Sequence, residues 1–250
     1  MLLPALPLSA QARLALATAI NHTARYRALS QRAAKAYGQV YQQVWPSRSP
    51  ELLDLTRKQI KAGLADLDGQ GWPADVAQLL AEVRQNALQL DGLLGQPPSK
   101  EAYLNVSKQA DQLLAAAEKA TQALERQSSV GSAKLVNLSG RQRMLSQRLA
   151  HEYGLVAAGL ASSAVRTQMS QDAQDFQRAM EQLKAAPVST PAIRSTLELG
   201  QAQWLFLEMA LKRTPDMRGM EDVATTSERL LELMDKLTGL YEAALKDVLG

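Results

Sequence analysis

An arginine set among small and hydroxyl-bearing residues on a helix can hold a small anion. Two stretches of this 250-residue chain carry that arrangement. Placed on a helix, Ser139, Arg143, Ser146, Ala150, Gly154 and Ala157 fall on one stripe, and Thr23, Arg27, Ser30, Ala34, Gly38 and Tyr41 on another. Small side chains at a helix contact let two backbones come close. If the two stripes face each other, Arg27 and Arg143 meet and repel. A bound anion relieves that repulsion, and each guanidinium fork offers several donors to a planar or trigonal oxyanion. Ser30, Ser146, Thr23 and Ser139 are candidate auxiliary donors. Arg25 and Arg141 flank the stripes as possible second donors. The implied ligand is small, anionic and oxygen-rich.

The two stretches repeat at a fixed offset. Ile20–Val40 aligns with Val136–Val156 without a gap, 116 residues apart, and 11 of 21 positions are identical. The shared set includes Asn21/Asn137, Arg25/Arg141, Arg27/Arg143, Ser30/Ser146, Gln31/Gln147, Arg32/Arg148, Tyr37/Tyr153 and Gly38/Gly154. A single helical arginine is ordinarily solvated or paired with a carboxylate. Here the polar residues recur better than the apolar ones, whereas plain core packing would keep the apolar ones. Arg32 and Arg148 lie on a different face and read as structural or interface residues.

Helices must position these residues. Ala, Leu, Gln, Glu, Lys and Arg dominate the chain, and these are the strong helix formers. Apolar spacing predicts helices over 10–44, 50–67, 74–94, 100–127, 133–162, 166–185, 192–212 and 217–248. Pro- and Gly-containing breaks separate them. The first three breaks, near residues 46, 72 and 97, fall on further breaks when advanced by 116. The expected fold is all-α: two tandem antiparallel four-helix bundles related by internal duplication. The modules are expected at 13–127 and 131–250. Residues 1–12, apolar and ending in Ala10-Gln11-Ala12, read as the remnant of an export signal.

Composition excludes several functions. The chain has no cysteine, so disulfides, thiolate metal sites and a cysteine nucleophile are ruled out. The net charge is +3, with no dense basic stripe, which argues against nucleic acid. No run approaches the roughly 20 apolar residues of a membrane span. His22 and His151 are not repeat-equivalent, and no Glu-x-x-His motif accompanies them, so neither a haem nor a di-metal site is expected. No P-loop, nucleophile elbow or other catalytic constellation is present, and neither enzyme activity nor a cofactor is expected. Trp45, Trp72 and Trp204 read as packing residues or caps near helix ends.

The string N-L-S-G-R-Q-R-M-L-S-Q-R at Asn137–Arg148 resembles the type IV pili methyl-accepting chemotaxis transducer N-terminal domain, the PilJ-type domain. It is similar, too, to the P-box of NarX-type nitrate/nitrite sensors. The resemblance implies an extracytoplasmic helical bundle that binds nitrate or nitrite at a dimer interface, through an arginine from the first helix of each subunit. By resemblance Arg143 is that arginine, and Arg27 is its counterpart. The first stretch departs from the pattern, with Ala24 in place of the glycine and Ala28 in place of the methionine.

Together these readings describe an extracytoplasmic, periplasmic sensory protein. It recognises nitrate or nitrite between the first helices of two modules and feeds a membrane or periplasmic signalling protein. It works as a monomer with an internal pseudo-dimer or as a homodimer. The alternative is a structural or protein-interaction helical module with no small ligand.

Overall fold

The computed structural model describes residues 10–68, 71–128 and 132–249. The export-signal reading falls largely outside them, as does most of the stretch between the two expected modules, 128–130. The described residues form eight helices: α1 (Ala10–Tyr41), α2 (Arg48–Ala62), α3 (Ala74–Leu94), α4 (Lys100–Arg126), α5 (Ser132–Ala157), α6 (Ser163–Lys184), α7 (Pro191–Leu211) and α8 (Met217–Leu249). A short 3₁₀ turn, Gly63–Leu67, follows α2. The fold is all-α.

Local chemistry sets the helix ends. Ser99, Ser162 and Thr190 each accept a backbone N–H of the first turn of α4, α6 and α7, which satisfies one of the four orphan donors there. The expected fifth helix, 133–162, stops instead at Ala157. Gly159 takes a left-handed φ of 69°, Leu160 N–H donates to Leu155 O, and Gly159 N–H to Val156 O. That pair of bonds is a Schellman cap, and glycine enters it without a Cβ penalty. The end of α1 is built the same way. Val44 N–H donates to Gln39 O, Gln43 N–H to Val40 O, and Gln43 stands at φ 57°. Gln43 is the residue 116 positions before Gly159.

Neighbouring helices within each half run antiparallel. Arg27, Gln31 and Gly38 of α1 meet Glu118, Asp111 and Tyr103 of α4. Arg143, Gln147 and Tyr153 of α5 meet Asp235, Ser227 and Gly219 of α8. The two halves do not stand apart as separate bundles. Helices α1 and α5 pack side by side more extensively than any other pair, and one continuous hydrophobic core spans both halves. They run parallel: residues 21–27 meet 137–143, residues 31–35 meet 147–151, and Gln42 meets Gly154. Every residue of α1 from Tyr26 to Gln39 is buried. Trp204, expected near a helix end, lies mid-α7, buried and stacked on Phe176 at 4.3 Å.

Candidate functional site between the two central helices

The two arginines of the stripes meet at Gly140, a glycine beside the stripe of α5. A Cβ added there would lie 3.2 Å from Arg143 Nη2, 3.3 Å from Arg27 Nη2 and 3.4 Å from the Ala24 Cβ. The bare backbone of α5 thus leaves room for two guanidinium groups on one glycine. Both arginines are buried, Arg27 at 0% and Arg143 at 1% exposure.

Each arginine heads a chain of polar contacts; the arginines and asparagines of the two chains match at the 116-residue offset, and the carboxylates they reach at 117. Arg27 Nη1 donates to Glu118 Oε2 at 2.5 Å and Nη2 to Asn137 O at 3.2 Å. Arg143 Nη1 donates to Asp235 Oδ1 at 2.7 Å, and Nη2 to Asn21 Oδ1 at 2.8 Å. The asparagines continue outward. Asn137 donates to Glu125 of α4, and Asn21 to Glu242 of α8. Asn21 and Asn137 are repeat-equivalent. Each one carries the contact across from its own half to the fourth helix of the other.

The electrostatics follow from burial. Desolvation disfavours both guanidinium charges. It pulls the Arg143 pKa down to about 10 against the opposing pull of Asp235, with Arg25 and Arg27 adding to the decrease. Arg27 shifts the same way, opposed by Glu118. Burial pushes the Glu118 and Asp235 carboxyls up, but the charges and hydrogen bonds of Arg27 and Arg143 outweigh it and hold both below their usual range. A charge taken out of water is tolerated only with such a partner. One donor is left over: Arg143 Nε is buried with no hydrogen-bond partner.

Two cavities flank this centre. One of about 400 Å³ is lined by His22, Arg25, Arg32, Asp66, Arg143 and Asp235, among others. The other, of about 530 Å³, is lined by Asp111, Glu118, Arg141, Met144, Arg148 and Glu152, among others. Arg25/Arg141, Ala28/Met144 and Arg32/Arg148 line the pair at the 116-residue offset. Arg25 and Arg141 are half-exposed and reach Asp235 and Asp175 at 3.5 and 3.4 Å. The hydroxyls are directed elsewhere. Ser30, Ser146 and Ser139 donate to Arg27 O, Arg143 O and Val136 O in their own helices. Thr23 is buried beside them.

A second polar layer lies one to two turns further along; it includes Arg32 and Arg148, which the sequence marks as structural or interface residues, and Lys35 and Glu152, which it does not mark. Lys35 Nζ contacts Gln147 Oε1 at 2.6 Å and Glu228 Oε1 at 2.5 Å. On the other side His151 Nδ1 lies 3.0 Å from Gln31 Oε1, and Gln31 Nε2 donates to Asp111. Burial, with Arg148 adding to it, lowers His151 to about 3, so the ring is neutral. Burial and Asp172 raise Glu152 to about 9 against the pull of Arg148. Arg32 pairs with Glu228 and Gln59, and Arg148 grips both oxygens of Asp172. The retained Gln31/Gln147 pair was the available signal for this layer. Lys35, His151 and Glu152 differ from their counterparts and gave none.

The repeat also preserves bonds whose residues differ. Tyr26 Oη donates to Ile60 O, and its counterpart Gln142 donates through Nε2 to Phe176 O, 116 residues on. Tyr37 and Tyr153 each donate to carbonyls of the loop before the fourth helix, at Gln96 and Pro97 or at Arg213 and Thr214.

Among the described residues no helix is long and apolar enough to cross a membrane. No curated protein and no solved structure matches the chain. Residues 123–230 match the family described as type IV pili methyl-accepting chemotaxis transducer N-term, PilJ. That segment holds α5 with Arg143, together with α6, α7 and the first part of α8. Residues 123–230 therefore form a PilJ-type segment, similar to a sensory and signalling domain of chemotaxis transducers.

Proposed function

We propose that the chain is an extracytoplasmic sensory protein of two tandem PilJ-like modules, the first at 13–127 and the second at 131–250. On this reading it recognises a small oxyanion, nitrate or nitrite, between the first helices of the modules. The single observation that carries the reading is the convergence of Arg27 and Arg143, buried and repeat-equivalent, on Gly140. Two modules in one chain then supply the paired arginines that a receptor dimer would draw from two subunits.

The neighbouring carboxylates suggest how binding acts. Asp235 is half-exposed, faces a cavity, and bridges Arg143 and Arg25 at 2.7 and 3.5 Å. Its carboxylate is a planar oxyanion in the position a ligand would take. A nitrate entering by the cavity exchanges with it and gains Arg143 Nε as a further donor. The exchange breaks one tie between α8 and α5 and leaves others, such as Gln147 to Ser227 O, in place. A ligand biases only states that it binds differently, and α8 held or loosened at Asp235 is such a pair. The loosened helix is what a membrane or periplasmic signalling partner reads.

The test is thermal unfolding against nitrate, nitrite, sulfate and chloride at fixed ionic strength. At about 100 times Kd, binding adds about 2.7 kcal/mol, or roughly 5–10 °C for a chain of this size. Arg143→Ala abolishes the rise. Asp235→Asn removes the competing charge, so the protein starts less stable and gains more from nitrate. The pairing of each arginine with a carboxylate of its own chain favours a second reading, a helical interaction module with no small ligand. Absence of any anion-specific shift in the wild type and in Asp235→Asn would select it.

A further inference from the structure

Helix α7 is apolar on two opposite sides. Its inner side, with Ile193, Leu197, Trp204 and Leu207, is buried. Its outer side exposes Leu199 at 53%, Leu205 at 50%, Phe206 at 59% and Met209 at 66%. Leu199, Ala202, Phe206 and Met209 follow one another at alternating steps of three and four, the spacing of a coiled-coil seam. A helix that is apolar all round is one covered on all sides. The fold itself does not require this face. Helix α3 has the same length of 21 residues, and aligned end to end it places Glu82, Gln85, Gln89 and Gly92 at those four positions.

We propose that a second copy of this chain docks here, α7 against α7, antiparallel about a two-fold axis near residue 204. That register sets Leu199 of one copy against Met209 of the other. It sets Ala202 against Phe206, small against large, as interdigitating layers require. Leu205 of each copy lies beside the axis, one residue from its centre. At the edges Glu198 of one copy reaches Lys212 of the other, whose side chain is 70% exposed and shared with Glu208 of its own helix at 3.1 Å. A closed, self-complementary pairing is the form that a two-fold interface takes. A parallel pairing would leave Glu198 and Lys212 about 21 Å apart along the helix, at about 1.5 Å per residue. It would also stack Phe206 on Phe206.

The experiment is sedimentation of the full chain over a dilution series, with helicity followed by circular dichroism. The wild type sediments as a dimer that dissociates on dilution. Phe206→Glu sediments as a monomer with unchanged helicity. Glu198→Lys alone weakens the dimer about tenfold, and adding Lys212→Glu restores it. A wild type that stays monomeric throughout overturns the proposal and assigns the face to a different protein. A dimer indifferent to Phe206→Glu, or one that the double charge exchange fails to restore, overturns it as well.

Discussion

Glu152 and His151 sit next to each other in α5, both buried and each held in its neutral form. The folded protein keeps the Glu152 proton to about pH 9, whereas the unfolded chain releases it near 4.5. The stability this adds is fully present below 4.5 and is lost as pH rises towards 9. His151 works in the opposite direction. Its folded value of about 3 lies under the ordinary 6.5, so its contribution is present above 6.5 and is lost as pH falls towards 3. Unfolding midpoints measured from pH 4 to 9 should therefore fall on both sides of a maximum. Glu152→Gln flattens the alkaline side by at least about 1.4 kcal/mol, the equivalent of one pKa unit. His151→Gln flattens the acid side. An unchanged alkaline limb in Glu152→Gln would show that its carboxyl is ionised in the folded protein. Backbone strain offers a second case. Gln43 holds the left-handed position that Gly159 occupies in the other half, where a side chain costs roughly 1–2 kcal/mol. Gln43→Gly should raise stability by about 0.5–1 kcal/mol by chemical denaturation, with part of the gain offset by the freedom of glycine in the unfolded chain.

At the scale of elements, close approach decides which glycines matter. Gly38 packs against the buried Tyr103, and an added Cβ would stand 2.4 Å from that ring. Gly38→Ala should cost about 1–3 kcal/mol, the range for overpacking a core. Gly92 in α3 has nothing within 4 Å of an added Cβ, so Gly92→Ala should gain up to about 1 kcal/mol from helix propensity. Equal effects at the two sites would mean that the α1–α4 contact is looser than described. Most helix limits were legible in the sequence because proline and glycine mark them. The spacing predicts α5 five residues too long because Gly159 sits in an otherwise helical run, and nothing local marks it as a cap. The character of α1 was harder to see. A helix buried on all sides is expected to be apolar on all sides, yet α1 buries Arg27, Gln31, Arg32 and Lys35. Those residues look like a solvated face until the second half is laid against them.

At the scale of the whole molecule, the repeat led to Arg27 and Arg143, and the structure brings them together. It did not reveal Glu118 and Asp235, because their partners are distant in sequence and neither lies in the similar stretch. Nor did it show that the two halves share a core. Because that core is continuous, unfolding should be one transition. The calorimetric and van't Hoff enthalpies should then agree. Two resolved transitions would mean that the halves melt as separate domains.

The second polar layer has one further consequence. On the Arg32 side two cations, Arg32 and Lys35, share one carboxylate, Glu228. Around Arg148, at matching positions, two acids, Asp111 and Asp172, face one cation, with the neutral Glu152 beside them. In a receptor of two identical subunits every substitution appears on both sides at once, so such a difference cannot arise. Here each side is encoded separately. The junction is therefore electrically polarised across its own axis, and a charge arriving at the centre meets an uneven field that pushes the two outer helices unequally.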